Sequence, residues 1–143
     1  MAEAAERYAT IGKVEELLRL SDTRVAQLRN RDPRFPPHAV EVLEQRLVRR
    51  GWHEEAITAY RRGKDHESPE PPQQYLGYSL IAERLGVTHV RIRQLEESDP
   101  QFPAAAVELV GPRRPRRHQI VHKGWRPEDV DAYVAARKAT SAR

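Results

Sequence analysis

Residues 111–118 read GPRRPRRH, four arginines and a histidine on a stretch stiffened by two prolines. Guanidinium groups are always charged and carry forked donors that match phosphate oxygens, so this density of arginine predicts contact with a polyanion. A second pattern is smaller and occurs twice: Arg24 precedes Gln27 by three residues, and Arg91 precedes Gln94 by three. On a helix that spacing places both side chains together. Arg pairs with the O6/N7 edge of guanine and Gln with the N6/N7 edge of adenine, each good bidentate contact supplying about 1 to 3 kcal/mol of discrimination.

The elements that must carry these residues are announced by an internal repeat. The frame D-P-x-F-P-x-x-A-V-E occurs at residues 32–41 and again at residues 99–108. A shift of 67 residues lays Tyr8 on Tyr75, Leu18 on Leu85, Arg24 on Arg91 and Gln27 on Gln94. Beyond the frame the shift becomes 73, pairing Gly51-Trp52 with Gly124-Trp125 and Tyr60 with Tyr133, so the second copy holds a six-residue insertion. It falls in residues 110–119, the most basic stretch of the chain. The period is too long for solenoid units and predicts two domains, residues 1–63 and 75–143. Between them KDHESPEPPQQ, residues 64–74, is polar, holds three prolines and reads as a linker.

Within each copy the spacing predicts helix, turn, helix, extended hairpin and helix. Ser79 is the expected cap of a helix with Leu80, Ile81 and Leu85 on its apolar face, ending at Gly86. Thr88 caps a second helix that buries Ile92 and Leu95 and stops before Pro100. Copy one repeats this with Ser21 as cap, but Arg19 stands where copy two has the turn glycine. Its hairpin segment, HAVEVLEQRLVRRG, lacks a turn residue and also suits a helix ending at Gly51. With Val25 and Leu28 buried, Thr23, Ala26, Gln27 and Asn30 face outward, flanked by Arg24. The matching positions of copy two are Val90, Arg93, Gln94 and Glu97, flanked by Arg91.

LIAERLGVTHVRIRQLEESDPQFP, a basic hairpin and GWRPEDVDAYVAARK together resemble the winged helix-turn-helix of MerR-type, AlpA-type and excisionase-type DNA-binding proteins. The likeness covers nearly all of copy two and, more loosely, copy one. It implies a mainly α fold with small β-hairpin wings, as two tandem winged helix-turn-helix domains. It implies recognition helices reading bases through Thr23, Arg24, Gln27, Asn30, His89, Arg91, Arg93 and Gln94. It also implies a wing touching the backbone or minor groove through Arg113, Arg114, Arg116, Arg117, His118 and Lys123, with Arg46 and Arg49 in the corresponding hairpin of copy one. The function expected is sequence-specific binding of double-stranded DNA by a bacterial, plasmid or phage transcriptional regulator. Two alternatives are an accessory factor for site-specific recombination or partition, and a module that recruits a partner or a second copy through the N-terminal domain. Fold resemblance does not separate such roles.

Basic residues exceed acidic ones by 25 to 21, the sign a nucleic-acid partner requires. The second helix of copy one, residues 21–31, has three arginines against one aspartate, whereas that of copy two, residues 88–98, has two against two glutamates and leaves attraction to phosphate to its hairpin loop. Head-to-tail domains on an extended linker of about 34 Å would favour a direct repeat. No phosphate-loop, nucleophile-elbow, zinc-protease or dinucleotide motif is present, so no enzyme activity and no cofactor are expected. The six histidines are scattered and no metal site is expected. The chain has no cysteine and no apolar run of membrane-spanning length, and its start has no apolar leader segment. A cytoplasmic, nucleoid-associated protein without a membrane partner is the expectation.

Overall fold

The local signals resolve into elements much as the residue chemistry dictates. The computed structural model describes residues 5–65, 71–113 and 118–141. Copy one forms β1 (Glu6–Ala9), α1 (Ile11–Leu18), α2 (Asp22–Arg31), β2 (Val40–Leu43), β3 (Val48–Gly51) and α3 (Glu54–Arg61). Copy two forms β4 (Gln73–Leu76), α4 (Tyr78–Leu85), α5 (His89–Ser98), β5 (Val107–Val110), β6 (Val121–Gly124) and α6 (Pro127–Ser141). The Ser21 and Thr88 side chains accept from the backbone N–H groups of Arg24 and Arg91, capping α2 and α5 as expected. Gly86 ends α4 in the left-handed region, and Arg19 takes the same conformation at φ 56°, so the turn survives the loss of glycine. Such a backbone costs a residue with a Cβ roughly 1 kcal/mol.

One local expectation is corrected, and the choice left open for residues 40–51 falls to the expected hairpin. Gly77, not Ser79, is the N-cap of α4; Ser79 lies inside the first turn and is held by the carboxylate of Glu44, from the other copy. Residues 40–51 form an antiparallel hairpin rather than a helix, closed by Glu44 N–H donating to the Leu47 carbonyl at 3.0 Å. Val40 and Val42 alternate inward along β2, and that period of two outweighs the missing turn residue.

The larger correction concerns the fold class. Among the described residues there are six helices and two three-stranded mixed sheets, in place of a mainly α tandem of winged helix-turn-helix domains with small hairpins. The sheets are ordered β3-β2-β4 and β1-β5-β6, so each hairpin takes its third strand, in parallel, from the opposite copy. Gln73 and Gln74, assigned to the linker, belong to β4. The arrangement is reciprocal rather than head-to-tail: Glu6 pairs with Val107, and their counterparts Gln73 and Val40 pair with each other.

Three apolar clusters follow from this exchange. Ala9, Val14, Leu18, Val25, Trp52 and Ile57 hold the helices of copy one. Leu76, Ile81, Ile92, Leu95, Trp125 and Val130 belong to the helices of copy two. Between them Tyr8, Val107 and Leu109 of one sheet meet Val40, Val42 and Tyr75 of the other. The sheets approach closely at two glycines: a Cβ on Gly51 would lie 2.5 Å from the Leu109 side chain, and one on Gly124 would lie 2.9 Å from Val42 and Tyr75. The repeated Gly-Trp dipeptide thus serves both sheet contact and helix packing.

The repeated frame fastens each helical group. Asp32 caps the end of α2, accepts from Tyr60 Oη at 2.5 Å and accepts from Arg34 N–H at 2.9 Å. Asp99 does the same with Tyr133 Oη at 2.7 Å and Gln101 N–H at 2.9 Å. The Pro36 and Pro103 carbonyls accept from the indole N–H groups of Trp52 and Trp125 at 3.2 and 2.9 Å.

Candidate nucleic-acid interface

The outward faces of α2 and α5 carry the residues expected there. Thr23, Arg24, Gln27 and Asn30 are exposed on α2, and His89, Arg91, Arg93 and Gln94 are exposed on α5. In both helices the Arg and Gln of the repeated pair touch: Arg24 Nη1 donates to Gln27 Oε1 at 3.4 Å, and Arg91 Nη1 to Gln94 Oε1 at the same distance. The amide oxygen steadies the guanidinium while the amide N–H₂ and the rest of the fork stay free to meet an acceptor. Val90 adds a methyl-bearing surface to α5, with 66% of its area exposed.

His89 and Arg93 do not stand free. The His89 ring stacks on Tyr78 at 5.5 Å, and the Arg93 guanidinium lies 5.4 Å from the same ring. Tyr78 in turn packs edge-on to Trp125 and donates from Oη to Glu96 at 2.6 Å. The two side chains are thereby aimed into an open groove of about 390 Å³. Its opposite wall is the copy-one hairpin, with Arg46 and Arg49, and His122 and Lys123 from β6 complete it. Strand exchange therefore gathers five expected contact residues, His89, Arg93, Lys123, Arg46 and Arg49, that lie up to 77 residues apart in the chain. The hairpin is fixed there by Gln45, whose N–H donates to Ser79 Oγ at 3.0 Å.

Charge in this groove is not uniform. Lys123 Nζ sits 3.0 Å from Glu96, which answers much of its charge. The corresponding positions in copy one are Arg50 and Arg29, so there the same place holds two cations. The Arg29 guanidinium lies 5.0 Å from the Trp52 ring; burial and the charge of Arg50 pull its pKa down. At the floor of the groove Arg49 Nη1 donates to His122 Nε2 at 3.4 Å, which requires a neutral imidazole. Burial first, and the Arg49 charge second, hold His122 below the ordinary histidine range, with Glu44 opposing them.

The insertion loop of copy two leans on copy one. Arg113 N–H donates to Glu16 on α1 at 3.2 Å, and Pro112 abuts Gly12. Gln119 Nε2 donates to the Gly111 carbonyl at 2.7 Å, tying the two ends of the loop. His118 is exposed beside it, while Arg114, Arg116 and Arg117 lie outside the described residues. The described base of the basic loop thus rests on the copy whose α2 carries three arginines, and the two basic elements that sequence assigned to different copies fall in the same half. Sequence reasoning missed Tyr78, Glu44, His122, Arg29 and Arg50. One signal for them was present: the shift of 73 sets Arg49 against His122 and Arg50 against Lys123.

Among the described residues no group of three His, Asp or Glu is placed to hold a metal ion, and no helix is long and apolar enough to cross a membrane. Compared with known families, with characterised proteins and with solved structures, the chain matches none.

Proposed function

We propose that this chain is a sequence-specific double-stranded DNA-binding protein that regulates transcription, with α2 and α5 as its reading helices. The observation that carries the reading is the exposed Arg–Gln pair, repeated at the same distance on both helices, with a groove lined by Arg46, Arg49, His89 and Arg93 beside α5. Paired Arg and Gln on a solvent-facing helix offer donors suited to base edges, and the surrounding cations suit phosphates. The overall charge of +4 is small, so affinity rests on where the cations are placed rather than on their number.

The test is binding to random and genomic duplexes across a salt series. A steep fall of affinity with salt, together with selection of a site, is expected; no measurable affinity at low salt would sink the proposal. Substituting Arg113, Arg114, Arg116 and Arg117 with alanine should weaken binding to all sequences and flatten the salt slope by about 1 for each phosphate no longer neutralised. Replacing Gln94 or Arg93 should instead change which sequence is preferred. A second reading, an accessory DNA-bending factor for recombination, is favoured by the strand pairing between the copies, which joins both reading helices to the same pair of sheets. Circular-permutation gels separate the two, since a regulator of the first kind need not bend its site.

A further inference from the structure

We propose that one copy of this chain reads an interrupted inverted repeat in duplex DNA, one half-site per reading helix, with half-sites that share one feature and differ in the rest. The proposal rests on the DNA-binding reading above and adds the symmetry of the site, which the exchange of strands sets.

Reciprocal pairing is the signature of a two-fold relation: if residue i meets j, then the counterpart of j meets the counterpart of i. Every register pair between the copies obeys this. Tyr8 pairs with Leu109 while Tyr75 pairs with Val42, and Ala9 pairs with Val110 while Leu76 pairs with Leu43. Residues on a two-fold axis meet their own counterparts. Arg49 and His122, separated by the shift of 73 that relates β3 to β6, are in contact. Tyr8 and Tyr75, separated by 67, share the central cluster between the sheets. The copies are therefore related by rotation about a line through the central sheets, not by translation along the chain.

That line emerges at the floor of the groove, between Arg49 and His122, with His89 and Arg93 on its border. The first turns of α5 therefore flank the axis, and the rotation carries α2 to the matching position on the other side. Duplex DNA has two-fold axes perpendicular to its own, and a two-fold reader meets two half-sites of opposite orientation. A direct repeat would require one helix to be turned over.

The bases follow from the residues. Arg24 and Arg91, with Gln27 and Gln94, predict a guanine and adenine contact common to both halves. Thr23, Ala26 and Asn30 face Val90, Arg93 and Glu97 as counterparts, so the remaining positions differ. Val90 suits a thymine methyl, Arg93 a further guanine and Glu97 a cytosine N4 amino group.

Selection of duplexes from a random library by the full chain, followed by native mass spectrometry of the selected complex, decides it. Expected are two half-sites in opposite orientation with a single fixed spacer and one chain per duplex. Gln27→Ala and Gln94→Ala should each relax one base-pair position, on opposite strands, with roughly a tenfold loss of affinity. A direct repeat, a lone half-site, a variable spacer or two chains per inverted repeat would overturn the symmetry while leaving DNA binding intact. Absence of any duplex binding at low salt would remove both.

Discussion

Asp32 and Asp99 show how much one repeated side chain accomplishes. Each carboxylate is held below the usual aspartate range, first by the tyrosine hydroxyl and next by a backbone N–H two residues on. His122 is held low by burial and by Arg49. For all three groups the unfolded chain binds protons more readily than the folded one, so each contribution to stability is lost as pH falls. The histidine contribution is present above the unfolded value of about 6.5 and declines below it; the aspartate contributions decline below about 3.9. Urea midpoints followed against pH should fall in these two windows. His122→Gln should remove the upper one, and Asp99→Asn with Asp32→Asn should lower the midpoint at pH 7 and blunt the acid step. An unchanged upper window in His122→Gln would show that another histidine carries it.

At the scale of elements, each hairpin tip braces the first turn of a helix in the opposite copy. Glu44 fills the space where a Cβ on Gly77 would stand, so Gly77→Ala must expel the carboxylate from the start of α4. Gly77→Ala and Glu44→Ala should each cost about 1 kcal/mol, the worth of a charge-assisted bond at a partly exposed helix start. The double variant should lose little more than either single one, a coupling that thermal or urea unfolding of all four proteins measures directly. This brace shows where reading the sequence stops. Helices α2 and α5, their Ser21 and Thr88 caps and the outward Arg–Gln pairs were legible because each depends on residues within one turn. The third strand of each sheet was not. β1 and β4 are each four residues long and share an inward tyrosine and the same order of two exposed and two buried positions, so pairing with their own hairpin or with the other one offers nearly the same hydrogen bonds and similar apolar partners. No local pattern distinguishes those choices. The groove, which exists only because the exchanged one is taken, was illegible with it.

For the whole molecule, the exchange replaces a tether with a frame. Flexible tandem domains would change the spacing of their half-sites when the connection between them is lengthened. Here the distance between α2 and α5 is set by the pairing of β1 with β5 and β4 with β2. Inserting five glycine–serine residues at position 68 should leave the preferred spacer unchanged in a selection experiment, with at most a small loss of stability from loop-closure entropy. A spacer that lengthens with the insertion would show that the two halves move independently when bound.

The contact between Arg49 and His122 also shows what two unlike halves allow that two identical chains do not. Where two identical chains assemble about an axis, a residue on it must face itself, arginine against arginine or histidine against histidine. Where the two halves differ in sequence that constraint is lifted, and here the counterpart positions hold a donor and a neutral acceptor that fit one another. The same freedom separates Arg29 and Arg50 from Glu96 and Lys123. Two halves alike in fold thus differ at the positions where they meet, so each supplies its neighbour with a contact that a second identical half would not.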